Sequence, residues 1–257
     1  MMITDTHTHL YVEEFDQDRD EVISRGFELG INRHFLPSID STYTAAMIAL
    51  EEKYPENIRL MMGLHPTHVK KETVDSELSH VRDMLSKKSF VAIGEIGIDL
   101  FWDKRTLGLQ QQAFVEQIRL AQYHDLPIVI HCRDAFDEIF EILEQENNPR
   151  LRGIFHCFTG NLQQAKRAIS FNMKLGIGGV VTFKNGGIDQ FLHDIPLKHI
   201  VLETDSPYLA PVPYRGKRNE STFISEVIDK LALIYKLPRK QIIEVTTENA
   251  SFIFNCW

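Results

Sequence analysis

The sequence predicts an α/β fold, a single-domain (β/α)8 TIM barrel. Three observations carry this reading. Eight short apolar, β-branched runs alternate with longer helical patterns, no Gly-, Ser- or Pro-rich linker interrupts the middle, and 257 residues is a length typical of that barrel. Residues 3–7, 31–37, 58–63, 91–97, 127–131, 153–157, 174–180 and 199–202 read as strands. Residues 18–29, 42–53, 74–87, 110–123, 135–146, 162–170 and the shorter 188–193 read as the intervening helices. Around the fourth helix, Leu109, Ala113, Ile118 and Ala121 recur at roughly helical spacing, with glutamines and Glu116 between them. Pro207, Pro211 and Pro213 mark a loop after the eighth strand, and helical patterns at 221–235 and 239–254 close the chain. A doubly wound open sheet would need a Gly-rich turn after its first strand. The first strand here ends in His-Thr-His-Leu instead. Residues 1–257 are therefore expected to form one domain, without internal repeat or low-complexity segment.

Composition sets the bounds. With 43% hydrophobic and 25% charged residues, a substantial core is expected and disorder is not. A net charge of -8 argues against coating nucleic acid by bulk electrostatics, although bound cations could create a local positive site. Cys132, Cys157 and Cys256 show no CxxC spacing and cannot all pair, which fits a reducing compartment. The N-terminus lacks a basic stretch followed by an apolar run, and no apolar run is long enough to span a bilayer. The expectation is a soluble cytoplasmic protein.

Chemistry in such a barrel gathers at the C-terminal ends of the strands. The first strand ends in His7 and His9, which alternation places on one face where they could share a cation. The third ends in Gly63-Leu64-His65-Pro66, and the fourth carries Glu95 among apolar neighbours. The fifth ends in His131-Cys132-Arg133-Asp134, the sixth in His156-Cys157, and the eighth in Glu203-Thr204-Asp205. A carboxylate inside an apolar strand is costly unless paired or bound to metal. One such residue could be a salt bridge, and one His-x-His a solvated strand end; six donors at one barrel end point to metal. His7, His9, Glu95, His131, His156 and Asp205 are the expected ligands, with Glu95 bridging two ions of zinc, manganese or iron type. His34, His80, His124, His193 and His199 read as ordinary histidines and His68 as a loop residue. Cys132 and Cys157 follow ligands, so alternation turns them into the helix layer as packing residues. Arg133 could pair with Asp134 or clamp an anionic substrate.

Together, Asp5-Thr6-His7-Thr8-His9, Gly63-Leu64-His65-Pro66, Gly94-Glu95-Ile96-Gly97-Ile98-Asp99, His131-Cys132-Arg133-Asp134-Ala135, Phe155-His156-Cys157-Phe158-Thr159-Gly160 and Leu202-Glu203-Thr204-Asp205-Ser206-Pro207 resemble the TatD family of metal-dependent deoxyribonucleases, within the amidohydrolase-like barrel superfamily. The resemblance runs nearly end to end. It implies two divalent ions, His65 and Arg133 near the substrate phosphate, and Asp205 as both ligand and proton acceptor. It also suggests 3′-to-5′ polarity. Ser221 stands after Asn219-Glu220 where family members often carry proline, and Leu100 follows Asp99 where an aromatic residue is common. Both departures touch substrate loops rather than ligands.

The resulting expectation is a two-metal phosphodiesterase acting on single-stranded DNA ends, with zinc, magnesium, manganese or nickel as its ions and a monomer as default. Asp205, Glu95 and His65 are its catalytic candidates, and His65, Arg133 and Glu203 its substrate contacts. Glu203 shares the face of Asp205 by alternation, and holding a ligand in place is set slightly ahead of touching substrate for it. Phe101 and Trp102 could stack on a terminal base or form an apolar lid. Two alternatives differ in class: an ester or amide hydrolase, such as one acting on aminoacyl-tRNA, and a metal-binding barrel without turnover.

Overall fold

A computed structural model describes residues 2–256. Eight parallel strands run in the order β1 to β8: Ile3–Asp5, Ile31–Leu36, Ile58–Met62, Ala92–Asp99, Ile128–Arg133, Gly153–Phe155, Met173–Ile177 and Ile200–Leu202. Six helices separate β1 to β7: α1 Arg19–Glu28, α2 Thr44–Lys53, α3 Val74–Lys87, α4 Leu107–His124, α5 Phe136–Gln145 and α6 Leu162–Ser170. After β8 follow α7, Ile224–Tyr235, and α8, Arg239–Phe254. The expected (β/α)8 barrel is thus present.

The barrel closes between β8 and β1 just beyond the regular strand ends. The Thr6 amide donates to Leu202 O at 2.9 Å, and the Asp205 amide to His7 O at 2.9 Å. The Asp5 carboxylate takes the Thr204 amide at 2.9 Å and its hydroxyl at 2.6 Å. A buried side chain therefore substitutes for ladder bonds where the strands diverge.

One expected helix is absent. Residues 188–193 form two 3-10 turns, Ile188–Gln190 and Leu192–Asp194, within a β7–β8 connection that contains no α-helix. Gly178, Gly179, Gly186 and Gly187 weaken helix formation, Gly187 adopts a φ of 75°, and Pro196 cannot continue a helix. Its apolar residues Ile188 and Leu192 are nevertheless buried.

The core has two main parts. A large one lies between strands and helices, and holds Ile93, Ile96, Ile98, Phe114, Ile118 and Phe155. A smaller one fills the lumen with Phe35, Met61, Ala92, Val129, Ile154 and Val201, closed by Ala250, Ile253 and Phe254 of α8. Phe35 and Phe254 stack with ring centroids 3.9 Å apart. This apolar layer is the floor of the site. Two residues beyond Val129, Ile154 and Val201, on the same lumen face, come His131, His156 and Glu203.

Candidate metal centre

Strand β4 shows how a carboxylate reaches that layer. Counting from Ala92 by strict alternation would turn Gly94, not Glu95, into the lumen. A register shift between Gly94 and Ile96 in the β4–β5 ladder inserts one residue. Glu95 then donates its amide sideways to Ser38 O at 3.2 Å and projects inward, 2% exposed. Gly97 follows at a φ of 142°, where a Cβ would lie 2.0 Å from His131 O. Only glycine allows β4 and β5 to approach so closely.

Glu95 is the hub. Its Oε2 lies 3.0 Å from His7 Nε2 and 3.7 Å from His9 Nε2. Its Oε1 lies 2.7 Å from His131 Nδ1, 3.2 Å from His65 Nε2 and 3.6 Å from His156 Nε2. Asp205 Oδ1 faces His9, His7 and His156 Nε2 at 3.4, 3.7 and 3.8 Å. The six expected ligands thus meet in one buried cluster, although His7 and His9 lie beyond β1 rather than within a strand. Their Nε2 atoms are 3.3 Å apart.

The donor set fits divalent metal. The combinations His7–His9–Glu95, His7–His156–Asp205 and His65–Glu95–His131 each bring three donor atoms within 4.8 Å of one another. Burial would lower the pKa of His156, but the carboxylates of Glu203, Glu95 and Asp205 outweigh it and raise it to about 10. Those carboxylates draw positive charge into the cavity. Burial opposes ionisation of Glu95, yet His65, His7 and His156 hold its carboxyl well below the usual range.

His65 lies against the cluster without being one of the six expected ligands, its Nε2 3.3 Å from His131 Nδ1. The Thr67 amide donates to His65 Nδ1 at 3.2 Å, so a neutral His65 carries its proton on Nε2. Burial depresses its pKa to about 4 despite Glu95 nearby. It is an N–H donor aimed at the cluster.

The Arg133 guanidinium lies over the Phe101 ring, 3.7 Å from its centroid, and 5.7 Å from that of Trp102. Among the described residues it forms no ion pair with Asp134. Trp102 is 70% and Phe101 52% exposed, which suits a platform at the rim better than a closed lid. A cavity of about 770 Å³ is lined by His9, Glu95, His131, His156 and Asp205, with His7 fully buried behind them, and Arg133, Trp102, Tyr43 and Tyr208 also line it.

Other expectations need correction. Cys132 and Cys157 both line this cavity, although Cys132 also packs on the core. Cys157 has a φ of 42°, and that left-handed turn breaks the alternation assigned to it. Glu203 is fully buried and accepts the Cys157 amide at 2.6 Å, with His156 Nδ1 3.1 Å away. It stands behind His156, not against the cavity, so a direct substrate contact is not what the geometry provides. His68 lines the cavity and pairs with Asp40 at 2.9 Å. His34, by contrast, is an ordinary core histidine as expected, fully buried.

Asp99 is a residue that sequence reasoning missed as a site member, having placed it only within a motif. Its Oδ2 lies 2.9 Å from His131 Nε2, leaving Nδ1 toward Glu95. Its other oxygen accepts the Phe101 and Trp102 amides at 3.0 and 3.2 Å. One carboxylate thereby orients a histidine and starts the aromatic loop. Its place four residues beyond Glu95 was the available signal.

A parallel barrel carrying histidines and carboxylates at the C-terminal ends of its strands defines a barrel metallohydrolase. The chain belongs to the TatD related DNase family, whose model matches residues 4–255. It is 37% identical over 255 residues to the uncharacterized metal-dependent hydrolase YabD of Bacillus subtilis (strain 168), covering 98% of this chain and 99% of that protein. It is 30% identical over 256 residues to the 3′-5′ ssDNA/RNA exonuclease TatD of Yersinia pseudotuberculosis serotype O:3 (strain YPIII), covering 97% and 98%. The crystal structure of YjjV, a TatD homolog from Escherichia coli K12, superposes with a TM-score of 0.93 at 30% identity, covering 99% of this chain and 98% of that one. The protein is therefore a metal-dependent hydrolase of this family. No helix among the described residues is long and apolar enough to cross a membrane, and all three cysteines are free.

Proposed function

We propose that this chain hydrolyses phosphodiester bonds at single-stranded DNA ends, 3′ to 5′, with two divalent ions. The observation that carries the reading is the convergence of His7, His9, Glu95, His131, His156 and Asp205 in one cluster at a cavity that Arg133 also lines. His7, His9, Glu95, His131, His156 and Asp205 would hold the ions. When bound, such ions supply Lewis acidity to the phosphoryl group and lower the pKa of water.

The protein's own groups divide the remaining work. Asp205 orients the attacking water and accepts its proton. Arg133, stacked on Phe101, offers a planar fork to a non-bridging phosphate oxygen. His65 directs its Nε2–H at the phosphate or the leaving oxygen. Trp102 and Phe101 present exposed faces for a terminal base, and such stacking is sequence-tolerant. The Yersinia relative's name, which specifies a 3′-5′ ssDNA/RNA exonuclease, supports the polarity and the single strand.

The test is a gel assay of metal-reconstituted protein on single-stranded DNA labelled at its 5′ end, with Glu95→Ala beside it. A ladder shortening from the 3′ end, absent in the variant, is expected. Intact DNA across several metals, with release of amino acid from an aminoacyl ester, would overturn the nuclease in favour of an esterase. Equal cleavage of blunt duplex and single strands would remove the preference for single-stranded ends.

A further inference from the structure

The structure assigns Tyr11 as a positioning residue: we infer that its hydroxyl fixes the tautomer of His9 so that the Nε2 lone pair is presented to metal. The inference rests on the metal-centre reading and extends it to a residue outside the ligand set. Tyr11 is 3% exposed, beneath the cavity wall. Its hydroxyl oxygen lies 2.6 Å from the Pro37 carbonyl oxygen and 2.8 Å from His9 Nδ1. A carbonyl has no proton to give, so contact at 2.6 Å requires the tyrosine O–H to donate there. That single proton is then committed. The contact with His9 can be a hydrogen bond only if His9 donates, which puts the imidazole proton on Nδ1.

The consequence appears at the other ring nitrogen. His9 Nε2, left with a lone pair, faces Asp205 Oδ1 at 3.4 Å, Glu95 Oε2 at 3.7 Å and His7 Nε2 at 3.3 Å. A proton on His7 Nε2 can meet that lone pair, but the carboxylate oxygens of Asp205 and Glu95 repel it unless a cation lies among them. The opposite tautomer would place an N–H there, satisfy the carboxylates with a proton and block the ligand atom. Pro37 immediately follows β2, so the next strand supplies the acceptor that holds the Tyr11 proton away from His9. His131 and His156 face carboxylates, Asp99 and Glu203, with their second nitrogens; His9 alone of these three faces a neutral hydroxyl.

Two measurements on the folded, metal-free protein test this. In the wild type, ¹⁵N ring NMR should find His9 protonated at Nδ1. Titration with Zn²⁺ by calorimetry should show the Tyr11→Phe variant, with unchanged circular dichroism, binding about 10- to 100-fold more weakly. A wild-type His9 protonated at Nε2 would overturn the inference by itself, even if Tyr11→Phe failed to fold. Equal Zn²⁺ affinity in the folded variant would also overturn it while leaving the metal centre standing. A wild type that binds no divalent ion would remove both readings.

Discussion

Asp205 and Glu95 illustrate how differently two carboxylates can serve one cluster. Glu95 is enclosed by five histidines, whereas Asp205 touches three and borders the cavity where water and substrate enter. Replacing Asp205→Asn should lower kcat by about 10²- to 10⁴-fold, measured in single-turnover cleavage, because the amide cannot accept the proton. His34, remote from the ligands in sequence, governs a separate property. It is fully buried against Phe27 and Ser221, and burial pushes its pKa down to about 4. Between pH 4 and 6.5 the unfolded chain therefore binds a proton that the folded one refuses. Stability contributed by neutral His34 is complete above about pH 6.5 and is lost as pH falls through that window, by about 3 kcal/mol at most. Urea titrations from pH 4 to 7 should show a shallower acid loss in His34→Leu than in the wild type.

At the scale of elements, the lumen is layered: apolar residues below, donors above, with α8 as the base. Truncating Phe254→Ala removes the ring stacked on Phe35 and should cost about 3–5 kcal/mol in chemical denaturation. Because the donors sit on the layer above, folded Phe254→Ala protein should keep most of its activity per molecule. Periodicity made these strands and most helices legible, and α8 runs over the predicted residues. It could not disclose the inserted residue in β4, because alternation assumes an unbroken ladder. Nor could it expose the missing helix before β8, where a short apolar pattern packs equally well as 3-10 turns.

For the whole molecule, net charge and cavity charge tell one story. The chain carries -8, and among the described lining residues of the main cavity Arg133 is the one permanently charged cation. Single-stranded DNA should consequently be held by few protein–phosphate contacts. A plot of log KM against log salt should have a slope of about 0.7, that of one neutralised phosphate; a slope several times steeper would point to an extended basic track. Metal should also stabilise the fold, since the donor set is assembled only in the folded chain. Saturating Zn²⁺ at about 100 times Kd should add about 2.7 kcal/mol per site, read as a higher Tm that chelator reverses.

The linear order of residues by itself determined the barrel, since eight alternating apolar runs without a linker have few other ways to bury their faces. It also singled out the residues that meet in the cluster, because histidines and an isolated carboxylate at strand ends are chemically conspicuous. What only the tertiary structure decided is who stands behind whom. Asp99 bonds His131, Glu203 backs His156, and Tyr11 is held by the Pro37 carbonyl against His9. These contacts depend on the register between neighbouring strands and on single turns such as that at Cys157. The physical reason is that hydrogen-bond direction is set in space by two elements at once, and neither element's sequence contains the other's position.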